Sequence, residues 1–418
     1  MIITILAAGT RGDTQPYIAL GIELKKSGHN VRIATFEAYS EFIKGFGLDF
    51  CKVKGDIASV ASGEDVRHAR EADNPFKLLL SFNKLKELAF NMQKDFFNAC
   101  SGSDAIVYHP GAAIGYFIAR NFKIPSILAT PFPMTPTRDF PALIFYNTPR
   151  LGKAFNLMTH KIFEKIMWSV SKGNIKRFWN EEFGKEPEDF SSPFSRQNTK
   201  YLPAVISCSN YVFPRPADWP EYVYNTGYWF LEDEPNWKPS DDLLEFLKVG
   251  APPVYIGFGS IGNDSSAAKT TEIVVDALKL SGQRGILATG WKGMSKIDNI
   301  SKDIFILESA PHSWLFPKMA AVAHHGGAGT TAAGLRAGIP SIVIPHSNDQ
   351  FAWGRRVYEL GVGSKPIPRK KLTAEKLSDA IKLVLTKEIK DKAKNLGMKI
   401  QSENGAATAA MIIANCLK

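Results

Sequence analysis

A chain of 418 residues, 44% hydrophobic and 22% charged, is too long for one small module and too evenly composed for a disordered chain or a coiled coil. Its 51 Lys and Arg against 41 Asp and Glu leave a net charge of +10, which favours anionic partners. The four cysteines, Cys51, Cys100, Cys208 and Cys416, form no CxxC pair, which argues against a zinc site or a disulfide framework and predicts a reducing, cytoplasmic setting.

Residues 2–8 are apolar without a basic flank and predict a buried first strand rather than a signal segment. Residues 14–27 predict a helix with Pro16 in its first turn and Gly28 at its end. Strand, helix and strand follow at 31–34, 37–44 and 48–53, and again at 104–108, 111–121 and 124–129. This alternation predicts βαβ units and a mostly parallel sheet. It stops at the loop Pro131-Phe132-Pro133-Met134-Thr135-Pro136, which leads into long helical patterns through Trp179 and could shape an apolar pocket. Strands near 205–207 and 211–213 precede a polar, Pro- and Trp-containing stretch at 232–239 that predicts a linker. A second alternation runs through strand 254–257, helix 267–280, strands 285–288, 304–307 and 320–323, helix 329–337, strand 341–344 and helices 349–360 and 374–385. The fold class is therefore α/β, with two doubly wound domains that bind ligands beyond the carboxyl ends of their strands. No run of about 18 apolar residues predicts a membrane-spanning helix.

The segment His324-His325-Gly326-Gly327-Ala328-Gly329-Thr330-Thr331 joins a strand to a helix. Small residues let backbone approach a ligand and the first helical N–H groups point at it, so the turn suits a diphosphate. The alternative reading is a tight strand-to-helix turn with two incidental histidines. A second Gly-rich turn, Gly257-Phe258-Gly259-Ser260-Ile261-Gly262, follows a strand, and neither has the spacing of a dinucleotide or P-loop fingerprint. Asp13 is open to a bland reading as a helix N-cap and to a functional one as a base. His109, at the end of another strand, could be structural, a partner of Asp13 or an alternative base. No cluster of His, Cys, Asp or Glu has metal spacing. If 152–178 is one helix, Lys161, Lys165, Lys172 and Lys176 share an arc of about 60° beside large apolar residues. That arc is either a solvated face or a docking face for an anionic membrane, and the aromatics are not interleaved as nucleic-acid binding would need.

Ala310-Pro311-His312-Ser313-Trp314-Leu315-Phe316, the His-His-Gly-Gly turn, Ala337-Gly338-Ile339-Pro340 and Asn348-Asp349-Gln350 together resemble the donor-binding signature of family 1 glycosyltransferases with the GT-B fold. The opening 9–21, Pro133 to Phe140, Pro216-Ala217-Asp218-Trp219 and Thr226-Gly227-Tyr228-Trp229-Phe230 are similar to the sterol 3-β-glucosyltransferase branch, which bacterial antibiotic glycosyltransferases share in part. The resemblance implies two Rossmann-like domains facing each other across a cleft, with an acceptor-binding domain at 1–231, a linker at 232–252, a nucleotide-sugar-binding domain at 253–398 and a C-terminal helix at 399–418 packing back on the first domain. It implies that His325, Gly327, Gly329 and Thr330 meet the donor diphosphate, with Ser260 and Gly12 from other turns. Asp349 and Gln350 would hold the donor sugar, a pair that goes with glucose, and Trp291 and His312 would flank the base. Plant members carry a glutamate for the ribose where this chain has Ala333, and a histidine base where it has Asp13.

The expectation is an inverting, metal-independent transfer of glucose from UDP-glucose, a co-substrate, to a hydroxyl of an apolar acceptor such as a sterol, terpenoid or polyphenol. No cofactor or metal is called for. Asp13, with His109 nearby, would take the acceptor's proton, and Phe132, Met134 and Phe140 would line the acceptor pocket. Alternatives are transfer to an antibiotic aglycone or a glycolipid from UDP- or dTDP-sugar, a GT-B epimerase, or a nucleotide-sugar-binding protein without catalysis.

Overall fold

The computed structural model describes residues 1–55, 86–196, 202–232, 237–258, 264–289, 301–346 and 348–418. They fall into two compact units, 1–231 with 403–418, and 232–402. Elements of the first unit are β1 (Ile2–Leu6), α1 (Arg11–Lys26), β2 (Asn30–Phe36), α2 (Ser40–Gly45), β3 (Asp49–Val53), α3 (Lys86–Ala99), β4 (Ala105–Tyr108), α4 (Ile114–Phe122), β5 (Ser126–Thr130), α5 (Lys153–Phe183), β6 (Ala204–Ile206) and β7 (Val223–Asn225). The second holds α6 (Asp241–Lys248), β8 (Val254–Gly257), α7 (Asp264–Ser281), β9 (Gly285–Ala288), β10 (Ile304–Leu307), α8 (His312–Leu315), β11 (Ala321–His324), α9 (Ala328–Ala337), β12 (Ser341–Val343), α10 (Asn348–Glu359), α11 (Ala374–Val384) and α12 (Lys387–Gln401); α13 (Gly405–Cys416) returns to the first.

The first sheet is parallel in the order β3-β2-β1-β4-β5-β6-β7. Its strands carry apolar side chains on both faces, as sheets covered by helices on either side require; Ile3, Ile5, Ile106 and Val107 are fully buried. Strand order reverses between β1 and β4, whose ends are in register at Leu6 and Tyr108. The second sheet, β10-β9-β8-β11-β12, is also parallel and reverses between β8 and β11, with His324 opposite Gly257. Chain leaving the carboxyl ends of such neighbouring strands is splayed apart, which opens a crevice for a ligand.

Several elements differ from the sequence expectation. α1 begins at Arg11 and not at 14, because Thr10 and Asp13 close a capping arrangement one turn earlier. Residues 211–213 form a turn, with the amides of Val212 and Phe213 donating to Ser209 O, and the sheet continues instead through β7. α5 runs unbroken through Gly173. Within the expected linker the Ser240 hydroxyl accepts the Leu243 amide at 3.3 Å, and α6 begins there with Leu243 buried in the second unit. The chain past 399 is divided, α12 ending at Gln401 and α13 packing Ala409, Ala410 and Ile413 into the core that holds Ile18 and Leu20 of α1.

Candidate functional site

In the first unit the loop leaving β1 brings Asp13 to the sheet's reversal point. Its Oδ2 accepts the Thr10 amide at 2.8 Å and the Thr10 hydroxyl at 3.0 Å. The carboxylate lies over Gly9, where a Cβ would come within 2.3 Å of Oδ2, and φ of +149° is a further reason for glycine. Asp13 is thus the third residue of α1 rather than its cap. One of its oxygens holds the helix start, and the other, Oδ1, points toward His109 Nε2 at 3.9 Å. Gly12 precedes it, and Pro16, lacking an N–H, cannot donate to the Gly12 carbonyl as a normal helical residue would.

His109 follows β4, its amide donating to Leu6 O at 2.9 Å and fixing it beside the end of β1. Its Nδ1 accepts the Gly111 amide at 2.9 Å, and the Tyr17 ring packs edge-on at 5.8 Å. Burial pushes the imidazole's pKa down, opposed by the charge of Asp13. Burial, then Asp13, holds Tyr17 well above its ordinary range, with its hydroxyl donating to Ala129 O. Tyr17 lies within the 9–21 segment singled out by resemblance, but neither its contact with His109 nor that of Gly111 is legible in the sequence.

In the second unit, β11 ends at His324 and the chain turns through Gly326, at φ +90°, where a Cβ would meet Val343 Cγ1 at 2.7 Å and the Gln350 carbonyl at 2.9 Å. Gly327 caps α9 with no side-chain hydrogen bond, and a Cβ there would lie 2.6 Å from His325 Nε2. The first N–H groups of α9, at Ala328, Gly329 and Thr330, therefore open toward whatever lies beyond the turn. His325 Nδ1 is buried without a partner, and burial lowers the ring to about 4, so it is neutral near pH 7 and acts as a hydrogen-bonding group rather than a cation.

Gln350 is 6% exposed, and its Oε1 accepts the His346 amide at 2.8 Å, which ties the start of α10 to the end of the β12 loop. Asp349 beside it is exposed. His346, which no sequence motif marks, faces His325 at 6.5 Å and Phe258 at 5.7 Å. The signal for it is its place four residues before Gln350. His312 stacks on Phe316 at 4.3 Å and meets Tyr255 edge-on, so part of its ring is committed to the core. Ser260 and Trp291 lie outside the described residues.

Of the acceptor candidates, Met134 is 6% exposed and packs in the main core of the first unit. Phe132 is partly buried against the same core, 6.2 Å from Phe163, and Phe140 is partly buried against Phe213 at 5.2 Å. On α5, Lys161, Lys165, Lys172 and Lys176 are all exposed, but Lys176 is paired with Glu186. Met158 and Ile162, 47% and 37% exposed, stand beside Lys161 and Lys165. Among the described residues no helix is long and apolar enough to cross a membrane, and no three His, Cys, Asp or Glu side chains gather as a metal site.

Comparison with known proteins adds a family to this geometry. Profiles of the glycosyltransferase family 28 N-terminal domain and of the erythromycin biosynthesis protein CIII-like C-terminal domain match residues 3–141 and 275–416. A sterol 3-beta-glucosyltransferase of Candida albicans is 36% identical over 97% of this chain and 27% of its own length. Another, of Arabidopsis thaliana, is 33% identical over 97% of this chain and 66% of its own. The chain thus spans about a quarter of the first relative and just under two thirds of the second. Among solved structures, the glycotransferase of kitacinnamycin superposes with a TM-score of 0.73 at 18% identity, covering 100% of this chain and 99% of that one. With two parallel α/β units, both profiles and these relatives in agreement, the chain belongs to the GT-B glycosyltransferases.

Proposed function

We propose that this chain transfers glucose from UDP-glucose to the hydroxyl of an apolar acceptor, a sterol before a terpenoid or polyphenol, with inversion and without a metal or other cofactor. The observation that carries the reading is the Gly326-Gly327 turn, which presents the uncapped N–H groups of α9, and His325 with its buried Nδ1 unbonded, at a sheet reversal point. Neutral, fixed donors of this kind can face the charge that develops on a leaving diphosphate. The sugar class and acceptor rest on the similarity to sterol 3-beta-glucosyltransferases. In the step itself the acceptor oxygen bonds to the anomeric carbon as that carbon's bond to the diphosphate oxygen breaks. The electron pair leaves with UDP, and the hydroxyl proton passes to Asp13 Oδ1.

Incubation of the chain with UDP-glucose, a sterol panel and excess EDTA tests all of this together. A β-glucoside is expected, identified by its anomeric proton coupling; an α-glucoside, or activity abolished by EDTA and restored by Mg²⁺, overturns the inversion or metal assignment. An acceptor panel in which free sugars outcompete sterols would sink the apolar acceptor.

The donor roles separate by mutation. His325→Ala should weaken UDP itself by about 10- to 150-fold, the worth of one hydrogen bond to a charged group, about 1.5–3 kcal/mol. Gln350→Ala should leave UDP affinity near that of the parent and lower transfer, since its role is in the sugar subsite. Calorimetric titration with UDP checks both, and unchanged affinity in His325→Ala removes the phosphate assignment.

Contact with an anionic membrane is proposed for the Lys161 and Lys165 face of α5, where Met158 and Ile162 could enter the interface. Each lysine near such a surface is worth about 1 kcal/mol. Lys161→Glu with Lys165→Glu should therefore cut co-sedimentation with phosphatidylserine vesicles by tenfold or more; equal binding of parent and variant removes the contact.

A further inference from the structure

Resting on the transferase reading above, we propose that His109 is a positioning residue for Asp13 and not a base: its ring is locked in the tautomer whose Nε2–H is directed at Asp13 Oδ1. The lock is the Gly111 amide, which donates to Nδ1 at 2.9 Å. A nitrogen accepting an N–H carries no proton of its own, so in the neutral ring the proton is on Nε2. The opposite tautomer would set two N–H groups against each other across that distance. Closeness depends on the glycine as well, since a Cβ at 111 would stand 3.0 Å from Nδ1.

The proton on Nε2 has one evident destination. That nitrogen is buried and makes no hydrogen bond, a state that costs about 1–3 kcal/mol if nothing compensates it. Asp13 Oδ1 is 3.9 Å away, and the Asp13 side chain, 34% exposed, has room to approach. The titratable groups facing the ring are Asp13 and Tyr17, both on α1, and Tyr17 keeps its proton. Burial disfavours the imidazolium, so the ring remains a neutral donor through the working range.

The carboxylate's two oxygens then have distinct tasks. Oδ2 is held by Thr10, and Oδ1, which faces the imidazole Nε2 at 3.9 Å, is left to receive the acceptor's proton. This reverses the usual division of labour, in which a carboxylate orients an imidazole that acts as base. His109 cannot take that proton at Nε2, because the site is already filled.

Two measurements test the assignment. Long-range ¹H–¹⁵N correlation on histidine-labelled protein at pH 7.5, with the His109 signals identified by their loss in His109→Gln, should show Nε2 protonated and Nδ1 bare. The Nδ1–H tautomer would overturn the proposal, and this readout holds whether or not the transferase reading survives. In turnover assays His109→Gln, which keeps an N–H near the Nε2 position, should retain kcat within about threefold. His109→Leu should lose about tenfold in kcat with the KM for UDP-glucose unchanged and the acid limb of the rate profile moved to higher pH. A His109→Gln variant as inactive as Asp13→Asn would make His109 the base and refute the proposal.

Discussion

Asp13→Asn is expected to lower kcat by about 10²–10⁴-fold, the range a positioned general base contributes, while UDP affinity and thermal midpoint stay close to those of the parent. The amide oxygen of Asn can still accept the Thr10 amide that Asp13 Oδ2 accepts at 2.8 Å, so the start of α1 is preserved. What is lost is the proton acceptor at Oδ1. Asp13→Ala is a less informative variant because it also removes the oxygen that accepts the Thr10 amide at the start of α1, a hydrogen bond worth about 1 kcal/mol. Steady-state transfer to a sterol, together with UDP titration and a melting curve, separates the effects. An Asn variant with near-parental turnover would deny Asp13 the base role. Donor binding without turnover in the parent would favour a nucleotide-sugar-binding protein.

The residues of this site differ in how legible they are from sequence alone. Asp13 and the His325 turn are legible because each is a local pattern: a short polar or Gly-rich segment between an apolar strand and a helix. The distinction between cap and base is not, since both uses need the same residue at nearly the same place; in the structure one oxygen accepts the Thr10 amide and the other faces His109. The tautomer of His109 depends on which strand lies beside β1 and on an amide two residues downstream, neither of which hydrophobic periodicity reports. Met134 is hard to assign from sequence for another reason. A Met among prolines and phenylalanines looks like a pliable pocket wall, yet a large α/β unit must claim such residues for its own core. The same competition explains residues 211–213, a short apolar run whose backbone bonds close a turn on Ser209 instead of extending the sheet. It also explains α6, where Ser240 and two acidic residues form a helix start inside a stretch that composition marks as linker.

The second unit should lose stability steeply on mild acidification. Burial lowers His324 to about 3 and His325 to about 4, and burial with the charges of Arg369 and His325 lowers His346 to about 3, against an ordinary value of 6.5. These are depressed imidazole values, so below pH 6.5 the unfolded chain takes up protons that the folded unit refuses. Stability is therefore full above pH 6.5 and falls as pH drops toward 4, each histidine contributing up to about 1.4 kcal/mol per pH unit. Three together approach about 4 kcal/mol per unit, so about 6 kcal/mol is lost between pH 6.5 and 5, which equals the whole stability of a domain only at the low end of the usual range of about 5–15 kcal/mol. Urea unfolding followed between pH 7.5 and 5 checks the slope. His346→Phe, which keeps an aromatic ring against Phe258, should reduce that slope by about one third, because one of three titrating groups is gone. A slope that His346→Phe leaves unchanged would mean that His346 becomes protonated in the folded unit, and the burial argument for it would fail.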